Sequence, residues 1–273
     1  MLDRVEFTTS NGNSLVVPFY DGDEGFFFDS VDGIDPVKAN IVSSSFANVD
    51  GEQYQTARRE SRNLVFKMGV DVSQVFGSVT QLRRKLMGLL MPKSEVTLRL
   101  FSDDFPAVDI VGIVESFDWP LFVQEPEVTL SIICHKPDFV DLMTVAVVDT
   151  TTPDFVNTII EYPGSVETGF KFYMLADRSL DGFTIFHRSS TGVLSSLEFG
   201  EPLIAGDLLE ISTISGEKEI MLTRAGTRSS ILHGMSPYSN WINLFPGANY
   251  ISVVAEGAEI EYTIEYVNRY GGL

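Results

Sequence analysis

Three histidines, His135, His187 and His233, and a lone cysteine, Cys134, are the soft metal ligands of this 273-residue chain. Binding an ion through such groups needs short spacings such as H-x-x-x-H or C-x-x-C, and neither occurs. Cys134 and His135 are adjacent, but successive strand residues point to opposite faces, which argues against a shared ion. All three histidines read as structural or surface groups. No G-x-S-x-G elbow presents a nucleophile, and no G-x-x-x-x-G-K-[ST] or G-x-G-x-x-G loop offers a phosphate cradle. Carboxylates abound, as at Asp103 and Asp104 or at Asp21, Asp23 and Glu24, yet glycoside hydrolysis needs two held face to face at a set distance. The stretch from Asp21 to Glu24 misses EF-hand spacing and reads as a hairpin loop. The reading is a protein without catalytic residues, metal or cofactor.

Charge is more telling. Residues 53–100 carry nine basic and three acidic groups, a local +6 in a chain of net charge −19. A solvated helix face with a charged loop would account for this. So would a subunit contact in which the basic segment meets an acidic face of another copy and fixes register. Arg58, Arg59, Arg62, Lys67, Arg83, Arg84 and Lys85 are the candidates for such a contact. Nucleic-acid recognition fits less well, because no aromatic platform interleaves these charges and the chain as a whole is acidic.

The elements that must carry these groups are mostly strands. Hydrophobic content of 44% with 21% charge is globular composition, and 22 Gly with 12 Pro imply many turns. No run approaches the length of a membrane-spanning helix, and the first residues lack the basic and apolar regions of a signal peptide. With one cysteine, folding in a reducing cytoplasm is expected. In the first half, Val5–Thr8 and Leu15–Phe19 read as a hairpin across Asn11–Asn13. Phe26–Phe28, Lys38–Ser45, Asn63–Val70, Val96–Leu100, Ala107–Phe117 and Glu127–Ile133 are further strands. Between them Val79, Leu82, Leu86, Leu89 and Leu90 share one helical stripe, Ser78 and Gln81 form a capping box, and Pro92 stops the helix. Pro137 to Phe139 closes this half, and Asp149 to Asp154 reads as a junction loop, so a break is expected near residues 137–155. Both halves are acidic.

The second half reads as short strands without a helix, the pattern of an antiparallel sandwich. Its end is the clearest segment. Ile260, Tyr262, Ile264 and Tyr266 alternate with Glu259, Glu261, Thr263 and Glu265, which predicts a strand with one buried and one wet face. Pro246 and Gly247 supply the reversal before it.

In this order, several stretches resemble the distal tail proteins (Dit) of siphophages, and the resemblance spans the whole chain. They are the strand Arg62–Val70 followed by Gln81 to Leu86, then Met91 to Lys93 leading into Val96–Leu100. Glu127–Ile133 runs into Cys134 to Phe139, where Pro137 and Asp138 stand in the reverse of the family's order. Gly206 to Ile211, Trp241 to Asn249 and Gly271 to Leu273 complete the likeness. It implies a mainly β fold: a barrel-like domain over residues 1–140 with one main helix, and a galectin-like antiparallel β-sandwich over 141–273. It further implies a homo-hexameric ring hub of a long non-contractile tail. The ring's partners would be the tail tube protein, a tail-associated hub or fibre protein and a receptor-binding protein. DNA would pass through the lumen without specific binding, and there would be no membrane anchor. The protein would be assembled in the host cytoplasm and reside at the virion's tail tip. The alternative is a module that binds host-surface glycans through the sandwich, stacking sugar on Trp241 or Tyr238, although core or loop packing is the favoured reading of Trp241.

Overall fold

The computed structural model describes residues 2–19, 25–48, 50–71, 78–120 and 126–273. The acidic stretch Asp21 to Glu24 lies outside them. The chain divides into two compact units, Met1–Leu142 with Tyr270–Leu273, and Met143–Arg269.

In the first unit the strands are β1 (Leu2–Thr9), β2 (Ser14–Pro18), β3 (Phe26–Asp32), β4 (Ala39–Ser44), β5 (Gln53–Arg59) and β6 (Arg62–Val70). After the helix α1 (Val79–Leu89) come β7 (Glu95–Ser102), β8 (Val108–Asp118) and β9 (Val128–Cys134), and β10 (Phe139–Thr150) begins in this unit and continues into the second. The antiparallel order is β2-β1-β7-β8-β9-β6-β3. Its two ends approach each other, with the Phe19 and Phe28 rings 5.0 Å apart, so the sheet curls toward closure as a barrel does. Period-two burial of Val5 and Phe7, Leu64 and Phe66, Leu98 and Leu100, and Leu130 and Ile132 builds the core. Onto it α1 lays Leu82 and Leu86, and the expected cap is present: Ser78 Oγ accepts from Gln81 N while the Gln81 side chain accepts from Ser78 N.

The β4–β5 hairpin belongs to neither sheet face. It is a two-stranded sheet of its own, paired from Ala39↔Arg59 to Ser44↔Gln53, and all but one of its strand residues are exposed. β5 was not legible as a strand in the sequence, since Gln53 to Arg59 shows no apolar periodicity.

The break between the two units falls at Leu142–Met143, within the expected range of residues 137–155, but inside a strand and not in a loop. β10 runs unbroken to Thr150, through the first residues of the expected loop. Val145 and Val147 alternate with exposed neighbours and pack on the second core, and this keeps the β-branched run extended.

The second unit contains β11 (Thr158–Tyr162), β12 (Lys171–Leu175), β13 (Phe183–Ser189), β14 (Leu194–Phe199) and β15 (Leu208–Ser212). β16 (Glu219–Arg224), β17 (Thr227–Ser230), β18 (Gly247–Val254) and β19 (Glu261–Tyr270) complete it. One sheet has the order β17-β16-β15-β12-β19, the other β11-β18-β13-β14. Phe172 of the first stacks on Tyr262 at 5.3 Å and on Phe183 of the second at 5.6 Å, so aromatic rings fill the space between sheets. Ile260, Tyr262, Ile264 and Tyr266 are all buried, as their alternation predicts. The closing residues Tyr270–Leu273 group with the first unit and not with the sandwich they follow. There Leu273 N donates to Ile34 O at 3.1 Å, and Tyr270 and Leu273 lie against the first core.

Candidate functional site

Of the seven basic candidates, Arg62 is corrected outright. It opens β6 pointing inward and is 1% exposed, so it is no surface contact. Its Nε donates to Pro137 O at 2.7 Å, Nη1 to Gly33 O and to Asp35 O (2.7 Å), and Nη2 to Gly271 O at 2.6 Å. The guanidinium also lies 4.4 Å over the Phe139 ring. Burial lowers the Arg62 pKa, with Cys134, Asp138 and Asp35 acting in the opposite sense. A guanidinium stays charged under such conditions, and its planar fork is suited to serving several acceptors at once. Gly33 makes room for this: at φ +92, a Cβ there would sit 2.0 Å from Asn63 O. Arg62 thus ties its own strand to three other stretches of the first unit, at Gly33 to Asp35, at Pro137 and at Gly271.

Arg59 is half committed. Nη1 and Nη2 both donate to the Asp138 carboxylate, the second at 3.0 Å, and Asp138 is nearly buried while Arg59 keeps about a third of its side chain in solvent. Pro137, Asp138 and Phe139 therefore hold the two arginines with a carbonyl, a carboxylate and a ring. Arg58 remains on the exposed face of β5, and with Arg59, Glu60, Ser61 and His135 it lines an open hollow of about 440 Å³. Lys67, Arg83, Arg84 and Lys85 do not reach that hollow. Lys67, Arg84 and Lys85 are exposed; Arg83 is half-buried, its Nε unpartnered among the described residues. The structure therefore splits the basic segment into a buried clamp, an exposed hairpin base and a helix face.

The hairpin itself carries Ile41, Val42, Tyr54 and, in its turn, Phe46, each at least 45% exposed. Those apolar groups are missing from both cores. Arg58 and Arg59 stand at its base and Asp50 and Glu52 near its tip. Sequence reasoning passed over Tyr54 because its strand has no buried face to announce it.

In the second unit the segment from Trp241 to Asn249 is held by a polar node. Asn249, fully buried, donates through Nδ2 to Phe245 O (2.7 Å) and Gly247 O (2.9 Å), and its Oδ1 accepts from Phe245 N at 2.9 Å. That oxygen also meets His187 Nε2 at 3.0 Å, while His187 Nδ1 meets Ser195 Oγ at 3.0 Å. Since Oδ1 can only accept, the imidazole proton belongs on Nε2, and Nδ1 then accepts from the serine hydroxyl. Burial lowers the His187 pKa, against a smaller opposing effect of the Asn249 bond, so the ring is neutral. Trp241 is half-buried, packs against the core, and has Lys218 Nζ 5.6 Å from its ring centroid, which favours the packing role. Tyr238 is 92% exposed. Neither aromatic lines the cavities formed among the described residues at Phe186, at Phe183 or at Tyr173.

Cys134 is buried, and desolvation pushes its thiol up to about 12 despite the opposing charge of Arg62. Among the described residues no three His, Cys, Asp or Glu side chains are gathered as for a metal.

A curled antiparallel sheet with one helix, joined in sequence to a β-sandwich, with a polar node in each unit, defines a mainly β fold of two units. Residues 163–270 match the sequence profile of the family described as siphovirus-type tail component, C-terminal domain. The fold is similar to that of SPP1 Dit, whose crystal structure is described as a paradigm of the hub adsorption apparatus in phages infecting Gram-positive bacteria. The TM-score is 0.68 at 18% identity, over 97% of this chain and 98% of that one. The baseplate of phage p2 in its activated conformation, solved with Sr, contains a chain at TM-score 0.45 and 10% identity, with 97% and 98% covered. Comparison with curated protein sequences finds no match. The profile match covers most of the second unit, and the likeness over the rest of the chain is one of fold.

Proposed function

We propose that this protein is the ring-forming hub of a long non-contractile tail, and that the β4–β5 hairpin is its assembly arm. The observation carrying this reading is a hairpin with four exposed apolar side chains and no core beneath it. An isolated two-stranded hairpin is marginal in water, and contiguous exposed apolar surface marks an interaction site. A closed ring needs head-to-tail contacts, in which an arm on one copy meets a different surface on the next. The arm's acidic tip at Asp50 and Glu52 and the basic residues Arg58, Lys67, Arg83, Arg84 and Lys85 supply opposite charges for such a meeting.

In this reading residues 1–140 form the ring and 141–273 an outward, galectin-like sandwich. Six copies close the ring between the tail tube protein and a tail-associated hub or fibre protein, with a receptor-binding protein as a further partner. The net charge of −19 per copy suits a lumen through which DNA slides without sticking, since acidic walls repel phosphate where basic walls would hold it by counterion release. Assembly in the host cytoplasm precedes residence at the tail tip.

Light scattering of the purified chain tests the ring. A hexamer that falls to monomer in the double variant Ile41→Glu, Tyr54→Glu, with its unfolding midpoint unchanged, is the expected result. A wild-type chain that stays monomeric both alone and with the tube protein overturns the reading.

A further inference from the structure

A cavity of about 360 Å³ on the outer face of the sheet β11-β18-β13-β14 shares only His187 and Ser195 with the polar node above. Strand alternation creates its floor. Ile185 and His187, Leu197, and Ile251 and Val253 face the core, so Phe186 and Arg188, Ser196, and Tyr250 and Ser252 face outward. Register then sets Phe186 between Ser196 and Ser252, and Arg188 between Leu194 and Tyr250. Phe155, from the segment after β10, closes one side with its ring 4.6 Å from that of Phe186, yet it remains 68% exposed.

Three features specify an occupant. The pair Phe155 and Phe186 offers an apolar plate of the kind on which the C–H face of a pyranose stacks. Ser252 is 1% exposed, lines the cavity, and its Oγ has no hydrogen-bond partner among the described residues. A purely apolar occupant would leave that hydroxyl unsatisfied at a cost, whereas a ligand rich in hydroxyls relieves it. Arg188 lies 4.7 Å over the Tyr250 ring, which fixes its guanidinium, and no carboxylate pairs with it among the described residues. With His187 neutral, Arg188 is the charged group of the lining, in a chain that is otherwise acidic. A planar guanidinium held this way matches a carboxylate in bidentate fashion.

We propose that this cavity is a saccharide site for a pyranose bearing a carboxylate, with Phe155 as stacking plate, Ser252 as hydroxyl partner and Arg188 as carboxylate partner. The proposal moves sugar recognition away from Trp241 and Tyr238, and it stands independently of the ring. Its test is saturation-transfer NMR and calorimetry on the full chain with glucuronate, galacturonate and N-acetylneuraminate, against glucose and galactose. At least one carboxylated sugar is expected to receive saturation at its ring protons and to bind about tenfold or more tightly than the neutral sugars. Phe155→Ala and Arg188→Gln, both at exposed positions, are expected to weaken it severalfold with the unfolding midpoint unmoved. Ser252→Ala should weaken it too, and Tyr238→Ala should not. No transfer to any of the sugars overturns the proposal, as does equal binding of glucose, or a loss of binding seen with Tyr238→Ala alone.

Discussion

The two polar nodes solve one problem with different chemistry. Arg62 in the first unit and Asn249 in the second each gather several backbone carbonyls. Arg62 does so with a buried charge whose acceptors are remote in sequence, the farthest 209 residues away. Asn249 does so with a neutral amide whose backbone partners at Phe245 and Gly247 are at most four residues away, and it adds a neutral imidazole as a brace. Gly247, at φ +88, gives that turn its left-handed step. A long-range node needs many donors fanned from one rigid group. A local turn needs only one amide at the right height.

The comparison can be broken most easily at Arg62. Arg62→Met should cost about 3–5 kcal/mol or prevent folding, because four carbonyls lose their donor together. Arg62→Lys should recover only part of this, since one ammonium cannot span the same fan. Denaturant unfolding of both variants reads the difference; a near-neutral Arg62→Met would show that the clamp is incidental. Asn249→Ala should cost less, about 2–3 kcal/mol, because it strands the turn carbonyls and His187 but leaves the rest of the sandwich intact. Its signature is loss of protection in amide exchange, confined to residues around Phe245 and Ser195.

Titration sharpens the contrast. The folded His187 pKa lies below the ordinary value near 6.5, so the unfolded chain binds the proton more readily. Its contribution to stability is complete above that value and declines as pH falls through it toward the folded pKa. The melting temperature of the second unit should drop on acidification from pH 7, and His187→Gln should flatten that slope. The guanidinium of Arg62 has no counterpart response in that range. Smallest in stability terms is the hairpin base. Arg59→Gln should cost no more than about 1 kcal/mol, since a half-exposed pair is screened, and Arg58→Glu less than about 0.5 kcal/mol. Their effect, if the arm assembles the ring, appears in mass measured by light scattering while the melting curve stays put.

Much of the local structure was legible. The helix was readable because its stripe, Ser78 and Gln81 all lie within one window, and β19 because its buried face is made by the chain itself. β5 was not, and the reason follows from the same physics. Periodicity records what a strand is buried against, and Gln53 to Arg59 are exposed throughout among the described residues. The fate of Arg62 was hidden for another reason. Arg58, Arg59 and Arg62 look alike in sequence, and what separates them is Gly33, Asp35, Pro137 and Gly271, which no local pattern connects. Phe155 follows the stretch read as a junction loop and belongs to no element read from the sequence, so its pairing with Phe186 had no sequence signal.

The return of Tyr270–Leu273 to the first unit has a consequence for biosynthesis. A chain emerging from the ribosome presents all of residues 1–142 long before Gly271, one of the four carbonyls held by Arg62, has been made. The first unit therefore completes its clamp only after the whole second unit has been translated. A prematurely terminated fragment leaves one arm of the guanidinium without its acceptor, and such fragments are poorly placed to compete with finished copies for a shared assembly.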